Sequence, residues 1–167
     1  DDWMAILYLL QRPDIRVVAI TVAGTGETHC EPGVRNALGL VRLAGESGIP
    51  VACGGETPLE GKQAFPEAWR ERADTMAGLS LPAGENPITQ ETAAELLVKT
   101  VQDSPQQVRI LTLGPLTNLA DAIQQEAQFL ENVEQIYVMG GALEVLGNVG
   151  FSGVDINNQV AEWNIFV

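Results

Sequence analysis

Val108-Arg109-Ile110-Leu111-Thr112-Leu113-Gly114-Pro115-Leu116-Thr117-Asn118 carries a clear local structural signal in this 167-residue chain. Residues 108–113 are rich in β-branched and other apolar side chains, which predicts a short buried strand. Gly114-Pro115 then turns the chain, and a helix is predicted from about residue 116 to 127. The stretch therefore forms a strand–turn–helix unit, the building block of an α/β protein.

The same alternation continues on both sides of this unit. Further strands are predicted at residues 17–23, 49–53 and 135–139, and further helices at residues 3–10, 32–46 and 89–103. Strands that alternate with helices at this spacing predict one α/β domain over residues 1–167. We expect an open, mostly parallel, Rossmann-like sheet with helices on both faces.

Some of these elements carry more detailed expectations. We expect the helix at residues 32–46 to have Pro32 in its first turn and to bury Val34, Leu38, Val41 and Leu43. Thr89 is expected to cap the helix that ends near residue 103. Residues 56–87 are rich in Pro and Gly and predict a long excursion with one helical turn near residues 67–72.

Both ends of the sequence look cut. The chain begins on Asp1-Asp2 directly before an apolar helix, and it ends on Ile165-Phe166-Val167 within an apolar run. A domain usually closes with a polar cap or turn. We therefore expect the 167 residues to be a fragment of a domain about twice this length.

The composition excludes several classes of partner. Apolar residues make up 46% of the chain, which fits a globular core, and the formal net charge is −13. This charge argues against nucleic acids and anionic membranes, because both require a basic surface, whereas a neutral ligand or a bound cation is compatible with it. No apolar run reaches membrane-spanning length and no signal peptide is visible, so a cytoplasmic protein is expected.

The two cysteines, Cys30 and Cys53, form no obvious disulfide framework. We interpret them as reduced, small apolar side chains, with a single disulfide as the alternative. The lone histidine, His29, follows the first strand and is interpreted as an ordinary surface group. Searches for nucleotide-binding glycine loops, nucleophile elbows and zinc-ligand spacings find nothing.

Polar and small residues cluster where strands are predicted to end, which is where parallel sheets bind ligands. The loops Gly24-Thr25-Gly26, Gly54-Gly55, Gly114-Pro115 and Gly140-Gly141 all follow predicted strands. Asp1-Asp2 either complements the dipole of the first helix or binds a hard cation, and the Leu113 carbonyl is a second oxygen ligand for a cation. A hydroxyl-rich ligand such as a sugar would suit a last set of residues: Met139, Asn148, Glu162, Trp163 and Asn164.

In these motifs the chain resembles the inosine-uridine preferring nucleoside hydrolases, calcium enzymes that split ribonucleosides into ribose and base. The family opens on an Asp-rich D-x-D-P-G-x-D-D run, and Asp1-Asp2 is similar to its last two aspartates. The other matching segments are, in order, residues 19–24, 34–37, 114–120, 138–141 and 161–164. The resemblance covers nearly the whole chain.

The resemblance implies a role for each matching residue. Asp2 and the Leu113 carbonyl would bind Ca²⁺, and Asp1 would bind a ribose hydroxyl and take part in catalysis with Asn164. The positions that would line the ribose are Thr25, Met139, Asn148, Glu162, Trp163 and Asn164. Thr25 stands where the family usually has Asn, and Trp163 where it often has Phe.

The resemblance also implies what lies outside this sequence. The family's general base is an Asp four positions before Asp1, and a later Asp ligand lies in its C-terminal half. We therefore expect the full-length parent to be a hydrolase of ribonucleosides, in a homodimer or homotetramer, and the 167 residues alone to be inactive. The alternatives are an inactive nucleoside- or sugar-binding homologue and a fragment that folds only with a partner chain.

Overall fold

Helices and strands alternate along the chain in the computed structural model, which describes residues 2–84, 89–151 and 158–167. The helices are α1 (Asp2–Leu10), α2 (Cys30–Leu43), α3 (Glu67–Asp74), α4 (Ala93–Asp103), α5 (Thr117–Gln125) and α6 (Trp163–Phe166). The strands are β1 (Ile20–Val22), β2 (Val51–Cys53), β3 (Val108–Thr112) and β4 (Val133–Val138). Three single 3₁₀ turns cover Met76–Gly78, Leu130–Asn132 and Val149–Phe151.

The strands pair in parallel, as the alternating pattern predicts. β1 runs beside β2 with Ile20 opposite Val51, and β3 runs beside β4 with Thr112 opposite Val138. Within the described residues these are two separate two-stranded ladders, and not one continuous sheet. The α/β class and the parallel direction are confirmed.

Helices cover both strand pairs. The α2 side chains Val34, Ala37 and Leu38 pack with Val51 of β2, and Leu10 of α1 packs with Val41 and Ile49. The β3–β4 pair is covered by α4 and α5 in a core formed by Ala94, Val98, Val101, Ile110, Ala122, Phe129 and Val133. None of the helices in the described ranges is long and apolar enough to cross a membrane.

Two local expectations for the helices are wrong. Thr92, and not Thr89, caps α4: its hydroxyl accepts from the Glu95 amide at 3.2 Å, and the Glu95 carboxylate accepts from the Thr92 amide at 2.8 Å. This reciprocal capping box requires Glu three residues after the cap, which Thr92 has. Leu43 is 55% exposed because, nine residues after Val34, it lies on the opposite side of α2.

The interpretation of the cysteines as reduced is also wrong for this structure. Cys30 and Cys53 form a disulfide, with their Cα atoms 5.6 Å apart. Cys30 is the first residue of α2 and Cys53 is the last residue of β2. The sequence spacing of 23 residues carries no sign of this contact, because it arises from the packing of α2 on the β1–β2 pair.

Candidate functional site

The loops after β1, β2 and β3 meet at the carboxyl ends of the strands. Asn118, in the first turn of α5, donates from Nδ2 to the Val22 carbonyl at 2.9 Å and so links the β3–β4 pair to the end of β1. The hydroxyls of Thr25 and Thr117 lie 3.1 Å apart, and Thr25 is only 2% exposed. A Cβ on Gly54 would overlap the Asn118 side chain, so glycine permits this close approach.

Asn164 joins the ends of β3 and β4. Its Nδ2 donates to the Leu113 carbonyl at 3.1 Å and to the Met139 carbonyl at 3.0 Å, and the residue is 9% exposed. Leu113 and Met139 each directly follow the last residue of their strand. The side chain that was predicted to contact the sugar therefore also fixes two strand-end carbonyls.

The side chains of Glu162 and Asn148 accept hydrogen bonds from backbone amides of the short helix α6. Glu162 is its N-cap: the carboxylate accepts from the Asn164 amide at 3.1 Å and from the Gly141 amide at 2.9 Å. Asn148 accepts from the Trp163 amide through Oδ1 at 3.0 Å. The structure thus brings Glu162, Asn164, Asn148 and the Met139 backbone together.

Trp163 lies inside an aromatic cluster. The indole is 5% exposed, stacks on Phe65 with ring centroids 5.0 Å apart, and meets the edges of Trp69 and Phe166 at 5.6 and 5.7 Å. Its Nε1 has no hydrogen-bond partner among the described residues. The cluster fixes the orientation of α6 and leaves Nε1 as an unsatisfied buried donor.

Asp2 begins α1 and is exposed at the surface, whereas Asp1 lies outside the described residues. The pKa of the Asp2 carboxyl is raised, first because surrounding protein removes water from it and also because Glu27 places a like charge nearby. The Asp2 carboxylate and the Leu113 carbonyl are oxygen donors of the types that bind Ca²⁺ in proteins. They do not complete a site, since no three His, Cys, Asp or Glu side chains converge on one point in the described ranges.

Two polar contributors to this region were not predicted. Arg70 of α3 is 7% exposed and donates from Nη2 to the Gly24 carbonyl at 2.7 Å. His29 is half-buried: its backbone amide and Nδ1 each lie 2.8 Å from the Asp74 carboxylate, so it is not the ordinary surface group expected. Both contacts involve α3, whose sequence lies in the excursion at residues 56–87 where periodicity is weak.

These features define an α/β protein with a cluster of polar groups at the carboxyl ends of parallel strands, where proteins of this class bind small molecules. The site presents a carboxylate, two carboxamides and strand-end carbonyls, which suit hydroxyl groups and a hard cation. The chain belongs to the inosine-uridine preferring nucleoside hydrolase family, whose model it matches over residues 1–167. This confirms the resemblance that the motifs indicate.

Individual relatives agree with this assignment. The chain is 37% identical over 166 residues to uridine nucleosidase 1 of Arabidopsis thaliana, covering 99% of this chain and 47% of that protein. It is 32% identical to the pyrimidine-specific ribonucleoside hydrolase RihA of Shewanella oneidensis, covering 100% of this chain and 49% of that protein. The solved structure of a plant nucleoside hydrolase, the PpNRh1 enzyme, superposes with a TM-score of 0.81 at 32% identity, covering 98% of this chain and 49% of that chain. The chain thus spans about half the length of the relatives it matches.

Proposed function

We propose that the protein hydrolyses the N-glycosidic bond of ribonucleosides to ribose and free base, with Ca²⁺ as cofactor and uridine as a preferred substrate. The observation that carries this proposal is the grouping of Glu162, Asn164 and Asn148 at the ends of β3 and β4 in a chain of this family. The preference for uridine rests on the names of two relatives, a uridine nucleosidase and a pyrimidine-specific hydrolase.

The polar side chains bind and orient the ribose. Glu162 keeps acceptor capacity beyond its bonds to the Gly141 and Asn164 amides, because a carboxylate has about four lone-pair positions. Asn148 has its Nδ2 donors for a sugar hydroxyl, since its contact with Trp163 uses Oδ1. Thr25, Met139 and Trp163 border the sugar, and Asp1, outside the described residues, binds a hydroxyl and acts in catalysis with Asn164.

Calcium would be held by the Asp2 carboxylate and the Leu113 carbonyl. When bound, the ion supplies a positive centre that holds the ribose diol and the attacking water. Ca²⁺ takes about 6–8 oxygen ligands, and these two residues supply only a few. We therefore propose that the 167 residues alone do not hydrolyse nucleosides efficiently, and that further ligands and the general base come from the rest of a homodimeric or homotetrameric enzyme.

The polar side chains of the proposed site are suited to hydrolysis of an N-glycosidic bond. The water oxygen bonds to the anomeric carbon, a carboxylate takes the water proton, and the C–N electron pair leaves with the base, which gains a proton. The transition state has oxocarbenium character at the ribose, as in other glycoside hydrolysis. Glu162 accepts hydrogen bonds from sugar hydroxyls and Asn148 donates to them, so that the water attacks a positioned carbon.

The test is ribose release from uridine, cytidine, inosine and adenosine by the complete protein, with Ca²⁺ or with a chelator. We expect release with Ca²⁺, fastest from uridine, and loss of release on chelation. Absence of ribose from all four nucleosides with Ca²⁺ present contradicts the proposal. Nucleoside binding without release in the same samples would identify a sugar-binding homologue instead.

A fragment that folds only with a partner chain is the second candidate. It is favoured by the exposure of large apolar side chains around β4 and α6, with Leu143 88%, Val160 71% and Val145 67% exposed. This candidate predicts self-association of the isolated 167 residues in sedimentation measurements. A monodisperse monomer with one cooperative thermal transition contradicts it.

A further inference from the structure

Helix α3 contacts the loop that follows β1 through a buried cation. Arg70 donates from Nη2 to the carbonyl of Gly24 at 2.7 Å and to the carbonyl of Thr28 at 3.3 Å. Gly24 immediately precedes Thr25, whose hydroxyl lies 3.1 Å from that of Thr117. Asp74, at the other end of the same helix, binds both the backbone and the ring of His29.

The same segment also contacts α6. Trp69 meets the edge of Trp163 at 5.6 Å, and Phe65, just before α3, stacks on it at 5.0 Å. Trp163 lies between Glu162 and Asn164, the two residues proposed to hold the ribose. Residues 65–74 therefore contact both the loop after β1 and helix α6.

The burial of Arg70 indicates what the residue contributes. It is 7% exposed, its Nε has no hydrogen-bond partner, and none of the ion pairs in the described ranges involves it. Burying a guanidinium without a carboxylate costs free energy, so an apolar side chain would serve packing better. What an apolar residue would not supply is the pair of hydrogen bonds to the loop carbonyls.

We infer that Arg70 is a positioning residue of the sugar site, which fixes the Gly24–Thr28 loop and, through it, Thr25. The loop backbone lies close to the loop after β2 at Gly24, because a Cβ there would fall 2.7 Å from the Gly55 carbonyl oxygen. Loss of the Arg70 bonds would let the loop move relative to Glu162 and Asn164. The kinetic part of this inference rests on the proposed hydrolase function.

The test compares Arg70→Met and Arg70→Lys with Arg72→Met, an exposed arginine of the same helix, in the complete protein. With uridine, we expect Arg70→Met to raise KM about tenfold or more while kcat changes less, since small misplacements of a binding group weaken productive binding. Arg70→Lys should recover part of the loss because the ammonium keeps charge and donors. Arg72→Met should match the unmodified protein.

Hydrogen exchange over residues 23–30 provides a readout that does not depend on activity. We expect faster exchange in this segment in Arg70→Met than in Arg72→Met, and an intermediate rate in Arg70→Lys. Unchanged exchange, or an unchanged KM in an active enzyme, overturns the inference. If the unmodified protein releases no ribose, the proposed function fails. The exchange rates of Arg70→Met, Arg70→Lys and Arg72→Met still decide the role of Arg70, because they do not depend on activity.

Discussion

Asn164 donates a hydrogen bond from Nδ2 to the Leu113 carbonyl at 3.1 Å, across a sequence separation of 51 residues. The contact joins a side chain proposed to bind ribose to the carbonyl proposed to bind calcium. The same Nδ2 also reaches the Met139 carbonyl, so one carboxamide holds the ends of two neighbouring strands. The geometry of the sugar site and that of the cation site are therefore linked.

Replacing Asn164 should cost both stability and activity. Asn164→Asp replaces the donor with a carboxylate that faces two carbonyl oxygens, and we expect a loss of about 1–3 kcal/mol in the free energy of unfolding. Urea unfolding measures this loss. Asn132→Ala is the control, because that residue makes one peripheral bond to the Gln128 carbonyl at the other end of β4. Equal losses in the two variants would contradict the assigned role of Asn164.

Gly54 should tolerate no side chain. In Gly54→Ala the new Cβ would overlap the Asn118 carboxamide, so we expect destabilisation of about 1–3 kcal/mol and a displaced β2 loop. Gly114→Ala is the matched control from another strand-end loop, because a Cβ there meets nothing within 4 Å. Thermal denaturation of both variants checks this, and a melting temperature of Gly54→Ala as high as that of Gly114→Ala would show that the close approach is absent.

The disulfide should make stability depend on redox conditions. Cys30 and Cys53 close a loop with a sequence separation of 23, for which chain entropy predicts a contribution of about 3 kcal/mol. Urea unfolding with and without dithiothreitol should differ by about this amount in the natural chain. The double variant with alanine at both positions should show no difference. A natural chain indifferent to reductant would contradict the assigned bond.

The parts of the fold that could be predicted were those with local sequence signals. Val108–Thr112 and the helix after Gly114-Pro115 were predicted because strand and turn residues adjoin there. The Thr92 cap was missed although its Glu95 partner is a readable signal. Arg70 and the Cys30–Cys53 bond could not be predicted, since both depend on contacts between segments distant in sequence.

Asp2 should respond to pH in a defined direction. Its pKa is raised in the folded chain, so the folded state holds this proton more tightly than the unfolded state. The stability that the protonated Asp2 carboxyl contributes is therefore present at low pH. It is lost as the pH rises from the pKa of this carboxyl in the unfolded state through its pKa in the folded state. We expect Asp2→Asn to raise the melting temperature of the metal-free protein at neutral pH. An unchanged or lower melting temperature would contradict the direction of the shift.

The effect of Ca²⁺ on the melting temperature tests whether Asp2 is a calcium ligand. Binding to the folded state should raise the melting temperature of the complete protein in proportion to the logarithm of Ca²⁺ concentration above its dissociation constant. Asp2→Asn should greatly reduce this shift, whereas Asp103→Asn, exposed at the end of α4, should keep it. A full calcium shift in Asp2→Asn would remove Asp2 from the cation site.

The rate at which the complete protein converts uridine to ribose and uracil with Ca²⁺ present tests the proposed hydrolase activity, when it is compared with the rate of the Glu162→Gln variant. Glu162→Gln keeps the size of the side chain but removes its charge, and the Gly141 amide contact can persist. We predict release of equal amounts of ribose and uracil by the natural protein and a fall of about 100-fold in kcat/KM in the variant. Equal rates in the two proteins, or no uracil from either, would contradict the assignment of this site to nucleoside hydrolysis.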